Sequence, residues 1–89
     1  MRAEEFDEKY KDFLEEGHYG LDIHIFEVIE YLDKVFEDLV KYPDFQYSQI
    51  KEKFGSARVY TNIPSTLGRI IESGIEKGIN DIFKKLSEN

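Results

Sequence analysis

The sequence predicts an α+β fold with three helices and one β-hairpin in the order α-α-β-β-α. Three stretches repeat apolar residues at the helical period and carry a polar face opposite. Between the second and the third of these helical stretches, aromatic and polar residues alternate around a turn that contains a glycine. A chain of 89 residues has the size of one domain, so residues 1–89 are expected to fold as a single unit.

The first two helices are predicted from apolar faces in the first half of the chain. The first covers residues 3–15, where one face carries Phe6, Tyr10, Phe13 and Leu14. The second covers residues 22–41, with Asp22 as its N-cap and Pro43 beyond its end. Its opening, Leu21–Phe26, alternates in polarity and is also compatible with a short strand.

The hairpin and the last helix are predicted in the second half. The two strands are predicted at residues 45–51 and 56–61, where aromatic and polar residues alternate. The turn is predicted at residues 52–55, because the glycine there tolerates a positive φ. Residues 65–87 hold the helical period for five turns, with Ser65 as the cap.

Gly74 and Gly78 lie four residues apart on the apolar stripe of the last helix. Each costs roughly 1 kcal/mol of helix propensity relative to alanine. We therefore expect a close approach there, either by helix 22–41 or by a second copy of the chain. The predicted core combines the apolar stripes: Phe13, Ile25, Ile29, Leu32, Phe36, Leu39, Ile71, Ile75, Ile82 and Phe83.

Charge is distributed unevenly along the chain. The 19 acids and 12 bases give a net charge of −7. Residues 1–44 carry fourteen acids and five bases, a net of −9, whereas residues 45–89 carry a net of +2. Such asymmetry predicts a charged partner. The acidic half argues against direct binding to nucleic acid and favours a protein partner with a basic surface, including one that itself binds nucleic acid.

Two groups of charged residues are candidate contact sites. The first is an acidic face on helix 22–41, whose members recur every three or four residues: Glu27, Glu30, Asp33, Glu37 and Asp38. Their spacing of about 5–6 Å between Cβ atoms is similar to that of phosphates along a strand, so the face is a candidate mimic of nucleic acid. The alternative is a solvated face that only keeps the protein soluble.

The second group is a set of cations around Phe54 at the hairpin tip: Lys51, Lys53 and Arg58. Exposed tips on a rigid scaffold often carry function, and bases beside aromatics can stack single-stranded nucleic acid. The alternative is a tight turn with a buried Phe54 and solvated lysines.

The residue content argues against enzymatic, metal and membrane functions. Cysteine is absent, and the spacing of His18, Asp22 and His24 does not match a paired metal-ligand helix, so neither an enzyme nor a cofactor is expected. No apolar run approaches the roughly 20 residues that span a bilayer. The acidic start, Met1–Glu5, is unlike a signal peptide, which favours the cytoplasm.

Residues 49–60 read Q-I-K-E-K-F-G-S-A-R-V-Y. This stretch resembles a segment of small uncharacterised bacteriophage and prophage proteins, which share a K-E-K-F-G-x-x-R-x-Y hairpin preceded by an amphipathic helix. The similarity covers residues 20–75 and implies a phage-like origin, but it brings no activity. Members often continue into a cysteine-bearing tail, and this chain has no cysteine.

Two functional hypotheses follow. In the first, the protein is a small acidic inhibitor that occupies the basic surface of a host nuclease or defence complex; the link between phage origin and anti-defence function is an analogy. In the second, it is a structural or regulatory homodimer that associates through Gly74 and Gly78.

Overall fold

The elements follow the predicted order in a computed structural model that describes residues 1–14 and 25–88, with only the backbone for residues 52 and 53. They are α1 (Ala3–Lys9), α2 (Phe26–Leu39), β1 (Ser48–Lys53), β2 (Ser56–Thr61) and α3 (Ser65–Ser87). The two strands form an antiparallel sheet. The predicted α+β class is therefore confirmed.

The first helix is shorter than predicted. It ends at Lys9, and the chain turns at Tyr10 instead of continuing to residue 15. The turn brings the next residues to the sheet, where the N–H of Ser48 donates to the carbonyl oxygen of Phe13 at 2.7 Å. Tertiary contact with β1 overrides the local helical period at this point.

Two of the predicted helix caps are wrong. Helix α2 begins at Phe26, with the extended Ile25 in the N-cap position, whereas the predicted cap Asp22 lies outside the described residues. Helix α3 has the predicted bounds, but Pro64 occupies its N-cap position and no side chain caps it, so Ser65 is its first residue. Proline suits a helix start because it lacks the N–H that would need a partner.

The hairpin turn is tighter than predicted. Lys53 pairs with Ser56, which leaves Phe54 and Gly55 as a two-residue loop with φ values of 53° and 80°. Positive φ at both positions is typical of the primed turns, whose twist matches that of the flanking strands. Because the turn is short, the first strand extends to Lys53. It begins at Ser48, three residues later than predicted.

The core lies between the inner face of the hairpin and the helices. Five predicted core residues are buried: Ile29, Leu32, Phe36, Leu39 and Ile75. The other five pack half-buried around them: Phe13, Ile25, Ile71, Ile82 and Phe83. The prediction missed the inner face of the hairpin, which contributes the buried Ile50, Ala57 and Val59. Within the described ranges, no helix is both long and apolar enough to cross a membrane.

The two glycines of the α3 stripe have different surroundings. A Cβ at Gly78 would overlap the ring of Tyr31 from α2, whereas a Cβ at Gly74 would meet nothing within 4 Å. The Tyr31 hydroxyl also donates to the carbonyl oxygen of Gly74 at 3.3 Å. The expected close approach of α2 is confirmed at Gly78, whereas at Gly74 the helix contacts only the carbonyl group and leaves the Cβ position open. Tyr31 therefore covers Gly78, while Gly74 stays exposed, and the predicted association of a second copy through this stripe stays a prediction.

Alanine substitutions should separate the two glycines. Gly74→Ala is expected to raise the free energy of unfolding by about 1 kcal/mol, because it gains helix propensity in open space. Gly78→Ala brings the same gain but displaces Tyr31, so its net effect should be zero or destabilising. Urea denaturation measures both effects. The free energy of unfolding of Tyr31→Ala/Gly78→Ala should be about 1 kcal/mol higher than that of Tyr31→Ala alone, because the ring that opposes the alanine is gone. Equal stabilisation by the two single variants would contradict this assignment.

Candidate binding surface

Helix α1 occupies part of the predicted acidic face of α2. Asp33 Oδ1 accepts hydrogen bonds from the Tyr10 hydroxyl at 2.6 Å and from Lys9 Nζ at 3.0 Å. Lys9 Nζ also donates to Glu37 Oε1 at 3.3 Å. The side chain of Asp33 is only 17% exposed as a result. These contacts fasten α1 to α2.

The protonation of this cluster follows from its burial and its pairing. Burial, and then the neighbouring Asp33, raise the pKa of the Tyr10 hydroxyl to about 12. Burial would raise the pKa of Asp33 as well, but hydrogen bonds from Tyr10 and Lys9 outweigh it and leave that pKa lowered. Asp33 is therefore an ionised anchor at neutral pH, not a proton donor.

The acidic face is not the continuous free surface that its spacing predicted. Glu30 accepts from the amino group of Met1 at 2.8 Å, so it faces α1 together with the paired Asp33 and Glu37. Glu27 and Asp38 point outward, and the nearest cation to Asp38 is Lys41 at 4.0 Å. Glu30, Asp33 and Glu37 lie on the side of α2 that contacts α1. The sequence did not show where α1 packs.

The solvent face of the hairpin carries two opposed cations. Ile50 and Val59 form a buried pair on the inner face, so the next pair, Lys51 and Arg58, lies on the outer face, where both side chains are exposed. Like charges directly opposite each other destabilise an antiparallel pair. In the described part of the chain, no acid lies within ion-pair distance of either cation. Among the described side chains, the pair therefore has no acidic partner.

Two half-exposed tyrosines extend the same face. Tyr60 pairs with Gln49 and is 46% exposed, and Tyr47, just before β1, is 43% exposed. The Asn62 side chain accepts from the N–H of Tyr47 at 3.1 Å, and its own backbone N–H donates to the Tyr47 carbonyl at 3.3 Å. These bonds fix Tyr47 at the end of the sheet. Neither tyrosine was identified from the sequence, although the alternation placed them on one face with Lys51.

The tip of the hairpin is an exposed aromatic residue. Phe54 is 93% exposed, so the alternative of a buried Phe54 is wrong. Its φ of 53° is uncommon for a bulky residue, and asparagine, aspartate or glycine usually occupies such a position. Lys53 pairs through its backbone with Ser56, but its side chain lies outside what the structure describes.

Helix α3 holds the hairpin in place through its polar side chains. Three outward N–H groups of β2 donate to α3: Ala57 to Asn80 Oδ1 at 2.9 Å, Val59 to Glu76 Oε2 at 2.8 Å and Thr61 to Glu72 Oε2 at 2.8 Å. The open edge of β2 is thereby covered. The cations and aromatics of the outer face consequently stand on a fixed scaffold.

Metal binding has no support in the described ranges. No group of three His, Asp or Glu side chains there is placed to hold a metal ion. His18, Asp22 and His24, whose spacing already argued against a metal site, lie outside the described residues.

Comparisons with protein-family models, curated proteins and solved structures found no match. The resemblance of residues 49–60 to phage proteins stays a prediction. The case for a function depends on the geometry of the hairpin and of the acidic helices.

Proposed function

We propose that this protein is a binding protein whose contact surface is the tip and solvent face of the β1–β2 hairpin. The observation that carries the proposal is Phe54, an aromatic ring 93% exposed at a positive φ. Its backbone conformation lowers the stability of the free protein, and its exposed ring contributes no burial that would offset this cost. Insertion of the ring into a partner offsets that cost, because desolvated aromatic anchors contribute most to binding in many interfaces.

The opposed cations indicate the chemistry of the partner. Lys51 and Arg58 repel each other in the free protein and have no described counter-ion. An anionic partner would relieve this repulsion and add charge-assisted hydrogen bonds. We therefore infer an anionic partner at the hairpin, in contrast to the basic partner expected from the charge of residues 1–44.

Substitution of Phe54 by Asn should change stability and binding in opposite directions. Phe54→Asn creates an Asn-Gly turn, which suits this conformation, so the free energy of unfolding should rise by about 0.5–1 kcal/mol. Loss of the anchor should weaken partner binding by more than about tenfold. Urea denaturation measures the first effect. Affinity capture from extracts of the cells that carry the gene, read by mass spectrometry, measures the second.

The predicted inhibitor of a basic surface is the second candidate function. What favours it is the charge of residues 1–14 and 25–44, where eleven acids face five bases. The outward acids Glu27 and Asp38 would make the contact, since Asp33 and Glu37 pair with Lys9. The resemblance of residues 49–60 implies a phage-like origin and no activity. Small acidic phage proteins are often inhibitors of host defence, and this link is an analogy.

A matched variant on the acidic face separates the two candidates. Glu27→Gln/Asp38→Asn removes outward charge while leaving the pairs to α1 intact. A partner lost by Phe54→Asn and kept by the acidic variant supports the hairpin. The reverse result supports the inhibitor and overturns the hairpin proposal. Equal capture of proteins by wild type and both variants would contradict the inhibitor and would exclude a protein partner for the hairpin.

A further inference from the structure

We propose that the anionic partner of the hairpin is a single-stranded nucleic acid. Its bases would stack on Tyr47, Tyr60 and Phe54, and its phosphates would pair with Lys51 and Arg58. This inference rests on the proposed function and names the partner of the same surface.

The arrangement of the outer face matches the repeating chemistry of a single strand. Along β2, Arg58 and Tyr60 stand two residues apart, which is about 6.6–6.8 Å on one face of a strand. Lys51 lies directly opposite Arg58. A single strand likewise alternates a charged phosphate with a flat base, and its bases can be splayed out to meet a protein surface. Cations and aromatic rings interleaved on a sheet are a typical platform for such binding.

The aromatic residues favour nucleic acid over an acidic protein. A carboxylate-rich peptide would neutralise Lys51 and Arg58 but would offer few flat surfaces to the rings. Tyr47 and Tyr60 are each nearly half exposed, and Phe54 is almost fully so. Every base has a π-face, so three exposed rings beside two cations match a single strand better than they match a peptide.

The net charge of −7 does not prevent this binding, because the fold separates the charges. Asp33 and Glu37 are paired with Lys9 between α1 and α2. Glu72 and Glu76 keep their charge at the edge of β2, where the N–H groups of Thr61 and Val59 donate to them. At physiological ionic strength, exposed charges are largely screened beyond about 8 Å. The strand pairing places Lys51 and Arg58 together on the outer face, so a phosphate there meets two cations at short range, although the charge of the chain predicted no direct contact with nucleic acid.

Fluorescence anisotropy with two matched probes tests the proposal on the full chain. The first probe is a labelled oligothymidylate of about a dozen nucleotides, within the range that one small domain covers. The second is an abasic oligomer of the same length, which keeps the phosphates and lacks the bases. We expect binding of the first, with at least about tenfold weaker binding of the second.

The variants divide the interaction into stacking and charge. Tyr60→Ala should weaken oligothymidylate binding by about 5- to 150-fold. Arg58→Gln should reduce the logarithmic salt slope from about −1.4, expected for two phosphates, to about −0.7. Tyr42→Ala and Lys84→Gln are the matched controls, because both residues are exposed and lie outside the hairpin. Circular dichroism confirms that each variant folds.

The outcomes distinguish this inference from the proposed function. No binding of oligothymidylate, or equal binding of the abasic probe, overturns the nucleic-acid partner. Equal effects of Tyr60→Ala and Tyr42→Ala overturn it as well. If Phe54→Asn still loses a captured partner in such a case, the hairpin remains the contact surface and its partner is an acidic protein. If neither probe nor capture responds to Phe54→Asn, both proposals are wrong.

Discussion

The double variant Glu72→Met/Glu76→Met is expected to lower the free energy of unfolding by about 2–6 kcal/mol. Each methionine fills the space of its glutamate but leaves one N–H of β2 without an acceptor, on Thr61 and Val59 respectively. A buried N–H without a partner costs about 1–3 kcal/mol. Domains are stable by about 5–15 kcal/mol, so this loss would be a large share of the free energy of unfolding.

The reason for this sensitivity is a match between two repeats. Four residues of a helix rise about 6.0 Å, and two residues of a strand span about 6.6–6.8 Å. Every fourth residue of α3 therefore lies beside every second residue of β2, which runs in the opposite direction. The pairs are 72 with 61, 76 with 59 and 80 with 57. One helix face thus accepts hydrogen bonds from the three outward N–H groups of β2.

Glutamine is the matched control, because its amide oxygen still accepts a hydrogen bond. Glu76→Gln should cost about 1 kcal/mol less than Glu76→Met. Amide hydrogen exchange tests the contact directly. In Glu76→Met the amide of Val59 should exchange faster than in the wild type, because it has lost its acceptor. The exchange rate of the Ala57 amide, which donates to Asn80, should change least. If methionine and glutamine destabilise equally and the Val59 amide keeps its protection, the contact is not stabilising.

The glutamate contacts also bear on the binding surface. A sheet of two strands is marginal by itself in water and needs packing from other elements. Here α3 covers the β2 edge, and the core holds the inner face through Ile50 and Val59. The outer face can therefore carry an unfavourable pair such as Lys51 and Arg58 without loss of the fold.

The fold could be predicted where the local pattern and the tertiary structure agree. The apolar period of α3 gave its bounds, 65–87, and the order of elements followed from three helical periods around one alternating stretch. Phe13 and Leu14 fit the period of α1 equally well, yet they leave the helix because β1 bonds to their backbone. A contact between distant segments is not encoded in a local period.

The candidate site shows the same division between local and distant information. Lys51, Lys53 and Arg58 were predicted as contact residues because they flank Phe54 within one local hairpin, and the structure shows Lys51 and Arg58 exposed. The pairing of Asp33 with Lys9 was not, because it joins two helices across 24 positions of the chain. The contacts of Glu72 and Glu76 with β2 were not predicted from the sequence either. Their four-residue spacing, continued by Asn80, was the available signal.

Asp33→Asn should destabilise the protein by about 1–3 kcal/mol at pH 7. The variant keeps an oxygen that can accept from Tyr10 but loses the charge that holds Lys9. Asp38→Asn is the matched control on the same helix, because Asp38 is exposed and its nearest cation is Lys41 at 4.0 Å. Its effect should stay within about 0.5 kcal/mol.

The effect of Asp33→Asn should depend on pH with a defined sign. The pKa of Asp33 is lowered in the folded protein, so the folded state binds this proton less tightly than the unfolded state does. The stabilisation is therefore complete above the unfolded pKa, about 3.9, and is lost as the pH falls through the folded pKa. Urea denaturation from pH 7 downward should show the wild type approaching the variant below about pH 4. A difference that persists unchanged at low pH would show that Asp33 acts through packing and not through its charge.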